Sequence, residues 1–194
     1  MLTVPAGRYE ATVLFCDIRG FTALFDNRDP IEALTFANTV ISRLANEVES
    51  CKGTIDKFTG DGFLAHFGVM EPVENAAKLA CQCALGIRKV LSTINRERHV
   101  SDQPTISIGI GINSGQVAAG VIVAGHKEEF TVLGKTVNVA SRIEGLTKEF
   151  SVDCLMSSST AELVKKDFML QAMPERQLRG LNEKSVVHWL LPMN

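Results

Sequence analysis

The chain has one tryptophan, one tyrosine and six prolines in 194 residues. It carries no repeat, no low-complexity tract and no Pro/Ser-rich linker, so nothing marks a domain boundary. At roughly 100–200 residues per domain, residues 1–194 read as a single domain with enough chain to bury a sizeable core. Charge of one sign is lacking too. Twenty Lys and Arg stand against 22 Asp and Glu, a formal −2, and no basic field announces nucleic acid or an anionic membrane. The most apolar stretches, 106–112 and 117–123, are too short and too glycine-rich to span a bilayer. The first eight residues lack the charged and apolar regions of a signal peptide. Cysteine is sparse and odd in number: Cys16, Cys51, Cys81, Cys83 and Cys154 fit a reducing cytoplasm, not a disulfide framework. What remains is ordinary globular material, 45% hydrophobic and 22% charged.

The patterning alternates strands with long helices. Residues 12–17 (TVLFCD) form a β-branched and aromatic run ending near Gly20. Asp29 as N-cap, Pro30 in the first turn and Glu32 three residues after the cap open a helix. Its apolar face, Ile31, Leu34, Ala37, Val40, Ile41, Leu44 and Val48, continues to about Ser50. Residues 54–58 and 63–67 predict a hairpin around Thr59-Gly60-Asp61-Gly62, with glycine where a positive φ is needed. A long amphipathic helix is expected over 72–98. A second hairpin is expected from 106–112 and 117–123, turning at Asn113-Ser114-Gly115, with a polar loop at 126–129. A helix over 137–150, a strand over 152–156, a short helix over 160–165 and a terminal strand pair near 168–173 and 186–191 complete the chain. The expectation is an α+β fold: a mainly antiparallel sheet covered by helices.

Two carboxylates lie at breaks in apolar strands. Asp17 ends VLFCD, and Asp61 occupies the TGDG turn. On neighbouring strands they would share one end of the sheet, as hard oxygen ligands for a divalent cation whose shell is completed by phosphates. Taken singly, Asp17 is a turn cap, Asp61 a hairpin residue and Lys57 a weak surface ion pair. Asn138 and Arg142, four apart, share one face of their helix. Gly109-Ile110-Gly111 is no dinucleotide fingerprint, because a strand runs through it. Cys81 and Cys83 fall on different faces of a helix. The four histidines show no metal-ligand spacing.

Together, Asp17-Ile18-Arg19-Gly20-Phe21-Thr22, Lys57-Phe58-Thr59-Gly60-Asp61 and Thr131-Val132-Leu133-Gly134 with Val137-Asn138-Val139-Ala140-Ser141-Arg142 resemble the class III nucleotidyl cyclase catalytic domain. The resemblance covers about 11–191, with the three motifs in family order. It implies a ferredoxin-like βαββαβ core with an added C-terminal strand hairpin. It further implies that Asp17, Asp61 and the Ile18 carbonyl bind two Mg²⁺ or Mn²⁺, that Lys57 and Thr131 read the purine, that Asn138 orients the ribose, and that Arg142 stabilises the α-phosphoryl group. Sites of this family are shared across a homodimer, so one chain holds every part without assembling a whole site. Lysine donates to the adenine ring nitrogen and a threonine hydroxyl can accept from its amine, which favours ATP. Guanylate cyclases carry Glu with Cys or Ser there. A degenerate, non-catalytic domain would lack a metal aspartate or the arginine, and none is lost.

Thr131 resembles the bicarbonate-responsive adenylate cyclase subgroup, which makes bicarbonate a candidate effector. The chain starts close to the first catalytic strand, so the expectation is either a minimal enzyme without a sensor or the catalytic part of a longer parent protein with regulatory domains. Arg179 and Lys184, in the C-terminal hairpin, are candidates for gripping the terminal phosphates. Charges near His126 and Lys127 are expected to be solvated.

Overall fold

The structure, a computed structural model, describes residues 4–26, 28–177 and 184–192. The β-branched run forms β1 (Gly7–Ile18), longer than expected because its first residues pair with a neighbouring strand. Two helices follow, α1 (Phe21–Phe25) and α2 (Pro30–Ser50); Asp29 caps α2 by accepting the Ile31 N–H at 2.9 Å. The expected hairpin is β2 (Thr54–Phe58) and β3 (Gly62–Phe67), turning through Gly60 at φ 95°. α3 (Ala76–Val100) starts four residues later than expected, after a turn at 72–75. Then come β4 (Ile108–Ala124), β5 (Lys127–Leu133), α4 (Lys135–Glu149), β6 (Cys154–Ser157) and α5 (Ser158–Val164). The chain closes with β7 (Leu170–Ala172), β8 (Arg176–Gln177), β9 (Lys184–Ser185) and β10 (Val187–Leu190).

The strand order β2-β3-β1-β4 is that of the expected βαββαβ core, extended by β6, β10 and β7. Among the described pairs, all are antiparallel except β4 with β6. Both faces of the central strands are covered, which is why they read as nearly unbroken apolar runs. Leu14, Cys16 and Ile18 face α2 and α3 in the larger core, with Phe63, Phe67, Ile110 and Ile112. Ala11 and Val13 face the opposite side with Val117, Val132, Val137 and Ala140, so α4 lies on that face alone.

The second hairpin differs from expectation. Residues 108–124 are one continuous strand, and the chain reverses at Gly125 instead of Asn113-Ser114-Gly115. The strand passes straight through the polar triplet because its groups are satisfied across the sheet and by α4. The Asn113 side-chain amide donates to the Thr136 carbonyl at 2.9 Å, and Ser114 pairs with Thr12 at 2.9 Å. Gly115, at φ 155°, sits where a Cβ would stand 3.1 Å from Thr136 Oγ1. The segment 127–129 is therefore strand, not loop.

The terminal pair forms as β7 against β10, and the C-terminal hairpin as β8 against β9. Lys184 lies exposed in β9, whereas Arg179 falls outside the described residues. No described helix is long and apolar enough to cross a membrane.

Candidate active site

The end of β1 and the β2–β3 turn meet at one corner of the sheet. Asp17 pairs with Gly62 of β3 on one side and Gly109 of β4 on the other. The Ile18 N–H donates to the Asp61 carbonyl at 2.9 Å, which ties the turn against the strand end. Glycine at 62 permits this approach: a Cβ there would stand 2.1 Å from the Cys16 carbonyl and 2.8 Å from Asp17 Oδ1. The two carboxyl groups come within hydrogen-bonding reach of each other. Burial, then the Asp61 carboxyl and more weakly Glu144, push Asp17 from its ordinary 3.8 up to about 7. Two oxygen donors held together against their own repulsion fit a divalent cation. Among the described residues no group of three His, Cys, Asp or Glu is placed to cage one. Most of such an ion's shell would then come from substrate oxygens, the coordination Mg²⁺ favours.

Lys57 and Thr131 are brought together by a residue that sequence reading missed. The register of β2 against β3 shifts between Ile55 and Lys57, leaving Asp56 at the irregularity. Its buried carboxylate accepts the Thr131 hydroxyl at 3.0 Å and the Val132 N–H at 2.9 Å. Lys57 Nζ lies 3.3 Å from the same carboxylate and 3.6 Å from Glu129 Oε1. Glu129 also faces Lys127 at 3.0 Å; these charges are solvated as expected, but they lie on a strand and not in a loop.

Asn138 and Arg142 ride on α4, exposed and half-buried respectively. Among the described residues neither side chain has a hydrogen-bond or ion-pair partner, and neither is joined to Asp17 or Asp61. α4 rests directly on the glycines of β4: a Cβ on Gly111 would stand 2.3 Å from the Ala140 carbonyl. This is the physical role of the Gly109-Ile110-Gly111 pattern. Glu144 is a second residue missed, for its distance in sequence from Asp17 and Asp61 gives no hint of contact. A Cβ on Gly109 would stand 2.1 Å from Glu144 Oε1. Burial raises the Glu144 carboxyl, and Arg19 opposes that rise. Arg19 in turn donates to the Val152 carbonyl, which fastens the corner to the start of the β6 segment.

Comparison with known proteins places the chain in a family. Residues 4–192 match the adenylate and guanylate cyclase catalytic domain. The chain belongs to that family. It is 36% identical over 152 residues to an adenylate cyclase of Anabaena cylindrica, covering 76% of this chain and 29% of the relative. It is 31% identical over 175 residues to adenylate cyclase 1 of Rhizobium meliloti, covering 90% of this chain and 26% of the relative. This cyclase domain thus spans less than a third of the length of either relative. The adenylyl cyclase CyaB from P. aeruginosa shares the fold, with a TM-score of 0.90 at 24% identity over 98% of both chains. The guanylyl cyclase Cya2 superposes with a TM-score of 0.88 at 26% identity, covering 98% of this chain and 96% of that one. The fold is therefore shared by proteins described as adenylyl and as guanylyl cyclases.

Proposed function

We propose that this single domain is an adenylate cyclase acting as a homodimer, converting ATP to 3′,5′-cyclic AMP and pyrophosphate. The observation that carries the reading is the joining of Lys57 and Thr131 through Asp56, a donor and a hydroxyl set side by side from strands far apart in sequence. An ammonium donor and a hydroxyl acceptor complement the ring nitrogen and the amine of adenine; guanine presents an N–H and a carbonyl at those places. Asp17 and Asp61, with the Ile18 carbonyl, would hold two Mg²⁺ or Mn²⁺. When bound, these ions neutralise the triphosphate and lower the pKa of the ribose 3′-hydroxyl. The 3′-oxygen loses its proton to solvent and forms a bond to the α-phosphorus, while the bond to the pyrophosphate oxygen breaks and pyrophosphate leaves with that electron pair. Asn138 orients the ribose for that in-line approach, and Arg142 meets the charge gathering on the α-phosphoryl oxygens.

The homodimer reading is supported by two features. Asn138 and Arg142 lack polar partners within the described chain, and Val121, Ile122, Val123 and Leu133 are exposed on β4 and β5. A two-fold pairing would bring the α4 groups of one protomer to the carboxylates of its partner and cover apolar surface. The length of the relatives supports regulatory domains in a longer parent protein, and Thr131 supports bicarbonate as an effector.

The test is cyclic-nucleotide production from ATP and from GTP with Mg²⁺ or Mn²⁺. Cyclic AMP should dominate, and Asp17→Ala or Asp61→Ala should abolish it in a folded protein. Cyclic GMP as the main product would overturn the adenylate cyclase reading.

A further inference from the structure

A threonine hydroxyl is ambiguous as a base reader. It carries one proton and two lone pairs, so it can face either an amine or a carbonyl. Its neighbours decide which. Asp56 sits at the irregularity in β2, and such a bulge re-aims a side chain away from the ladder of its own strand. Here the side chain turns toward β5 and is fully withdrawn from solvent, at 0% exposure. Oδ1 accepts the Val132 N–H at 2.9 Å and Oδ2 accepts the Thr131 hydroxyl at 3.0 Å. A carboxylate in this position has only acceptors to offer, so the single hydroxyl proton of Thr131 is spent inward. Only lone pairs remain to face a ligand. The same carboxylate, 3.3 Å from Lys57 Nζ, holds the lysine beside that hydroxyl as the paired donor.

We propose that Asp56, through its hydrogen bond to Thr131 and its contact with Lys57, is the positioning residue that sets adenine over 6-oxopurine specificity in this cyclase. This rests on the adenylate cyclase reading above. Asp56 does not touch the base; it polarises the residue that does. A threonine so oriented pairs with an exocyclic amine and repels a carbonyl at the same place.

The isosteric change Asp56→Asn inverts this polarity. The Asn oxygen stays on the Val132 N–H, because the opposite rotamer would set an amide N–H₂ against that N–H. The amide nitrogen then donates to Thr131, whose hydroxyl must accept and turn its own proton outward. The threonine now presents a donor, suited to a carbonyl.

The assay is steady-state turnover of ATP, inosine triphosphate and the triphosphate of purine riboside, which has no substituent at the 6-position. Wild-type protein should rank them in the order ATP, purine riboside triphosphate, inosine triphosphate. Asp56→Asn should shift the ATP to inosine triphosphate ratio of kcat/KM by about 10- to 100-fold toward inosine triphosphate, the scale of one mispaired buried hydrogen bond. In a Thr131→Val background the same change should move that ratio by no more than the smaller part that runs through Lys57. Equal loss on both nucleotides in Asp56→Asn would mean a merely structural role and overturn the proposal. Should Asp56→Asn fail to fold, the wild-type ranking decides: better use of inosine triphosphate than of purine riboside triphosphate would mean that Thr131 already presents a donor. Wild-type protein preferring guanine or making no cyclic nucleotide would instead remove the adenylate cyclase reading, and this proposal with it. A normal ATP preference with an unmoved ratio would remove the role of Asp56 alone.

Discussion

Replacing Asp17 by asparagine should stabilise the metal-free protein while destroying its function. In the folded chain burial and Asp61 raise Asp17 from 3.8 to about 7. Between about pH 4 and pH 7 the folded state therefore keeps a proton that the unfolded chain has released. Stability falls as pH rises across that window and is flat above it, because the group is then charged in both states. Three pKa units at about 1.36 kcal/mol each set a ceiling near ~4 kcal/mol. Asp17 is only half-buried and partly screened by solvent, which reduces the figure to about 1–2 kcal/mol. Asparagine keeps the shape and removes the charge. At pH 8 in a chelator, Asp17→Asn should melt about 2–8 °C above wild type, at roughly 2–4 °C per kcal/mol for a chain of this size. The gap should close toward pH 4, where wild-type Asp17 is protonated in the folded state. Saturating Mn²⁺ at pH 8 should raise the wild-type melting temperature and leave the variant nearly unmoved, since ligand binding stabilises only a state that holds the ligand. Thermal melts read by circular dichroism measure all three conditions. A variant less stable than wild type at pH 8 in chelator, or a gap that persists at pH 4, would refute like-charge crowding at this corner.

Three further outcomes are expected. Lys57→Glu combined with Thr131→Cys should weaken ATP use and admit GTP; an unchanged ATP to GTP ratio would mean that other residues read the purine. Mixing inactive Asp17→Ala with inactive Arg142→Ala under subunit exchange should restore activity toward about a quarter of wild type, because each heterodimer rebuilds one intact site. Heterodimers that form and stay silent would place each site within one chain. Gly111→Ala should cost about 3 kcal/mol by denaturant unfolding, since the new methyl would meet the α4 backbone at 2.3 Å and lift that helix from the sheet. An unchanged midpoint would mean that α4 yields without strain.

Local chemistry made much of the fold readable. The Asp29 cap, Pro30 and the apolar stripe of α2 are signals within one helix, and the glycine-containing turn after β2 depends on its own backbone. The carboxylates at the ends of apolar runs could be named as ligands because a polar group interrupting a buried strand stands out within a few residues. The purine-reading and phosphate-facing residues could be named only because three separated motifs together resemble a family. The polar triplet 113–115 misled, because turn propensity is local whereas the partners that keep the strand straight, Thr12, Thr136 and Gln116, come from β1, α4 and the strand itself. Asp56 and Glu144 were silent for the same reason. A carboxylate between Lys57 and Thr131 exists only once β2 and β5 lie side by side, and one beside Asp17 and Asp61 only once α4 has settled onto Gly109 and Gly111. Periodicity and turn chemistry act over a few residues, so the sequence by itself determined most of the strands and helices but not where the long strand 108–124 turns. The hydrogen-bond direction at Thr131 and the charge crowding at Asp17 depend on contacts between distant strands and helices, and only the tertiary structure decided them.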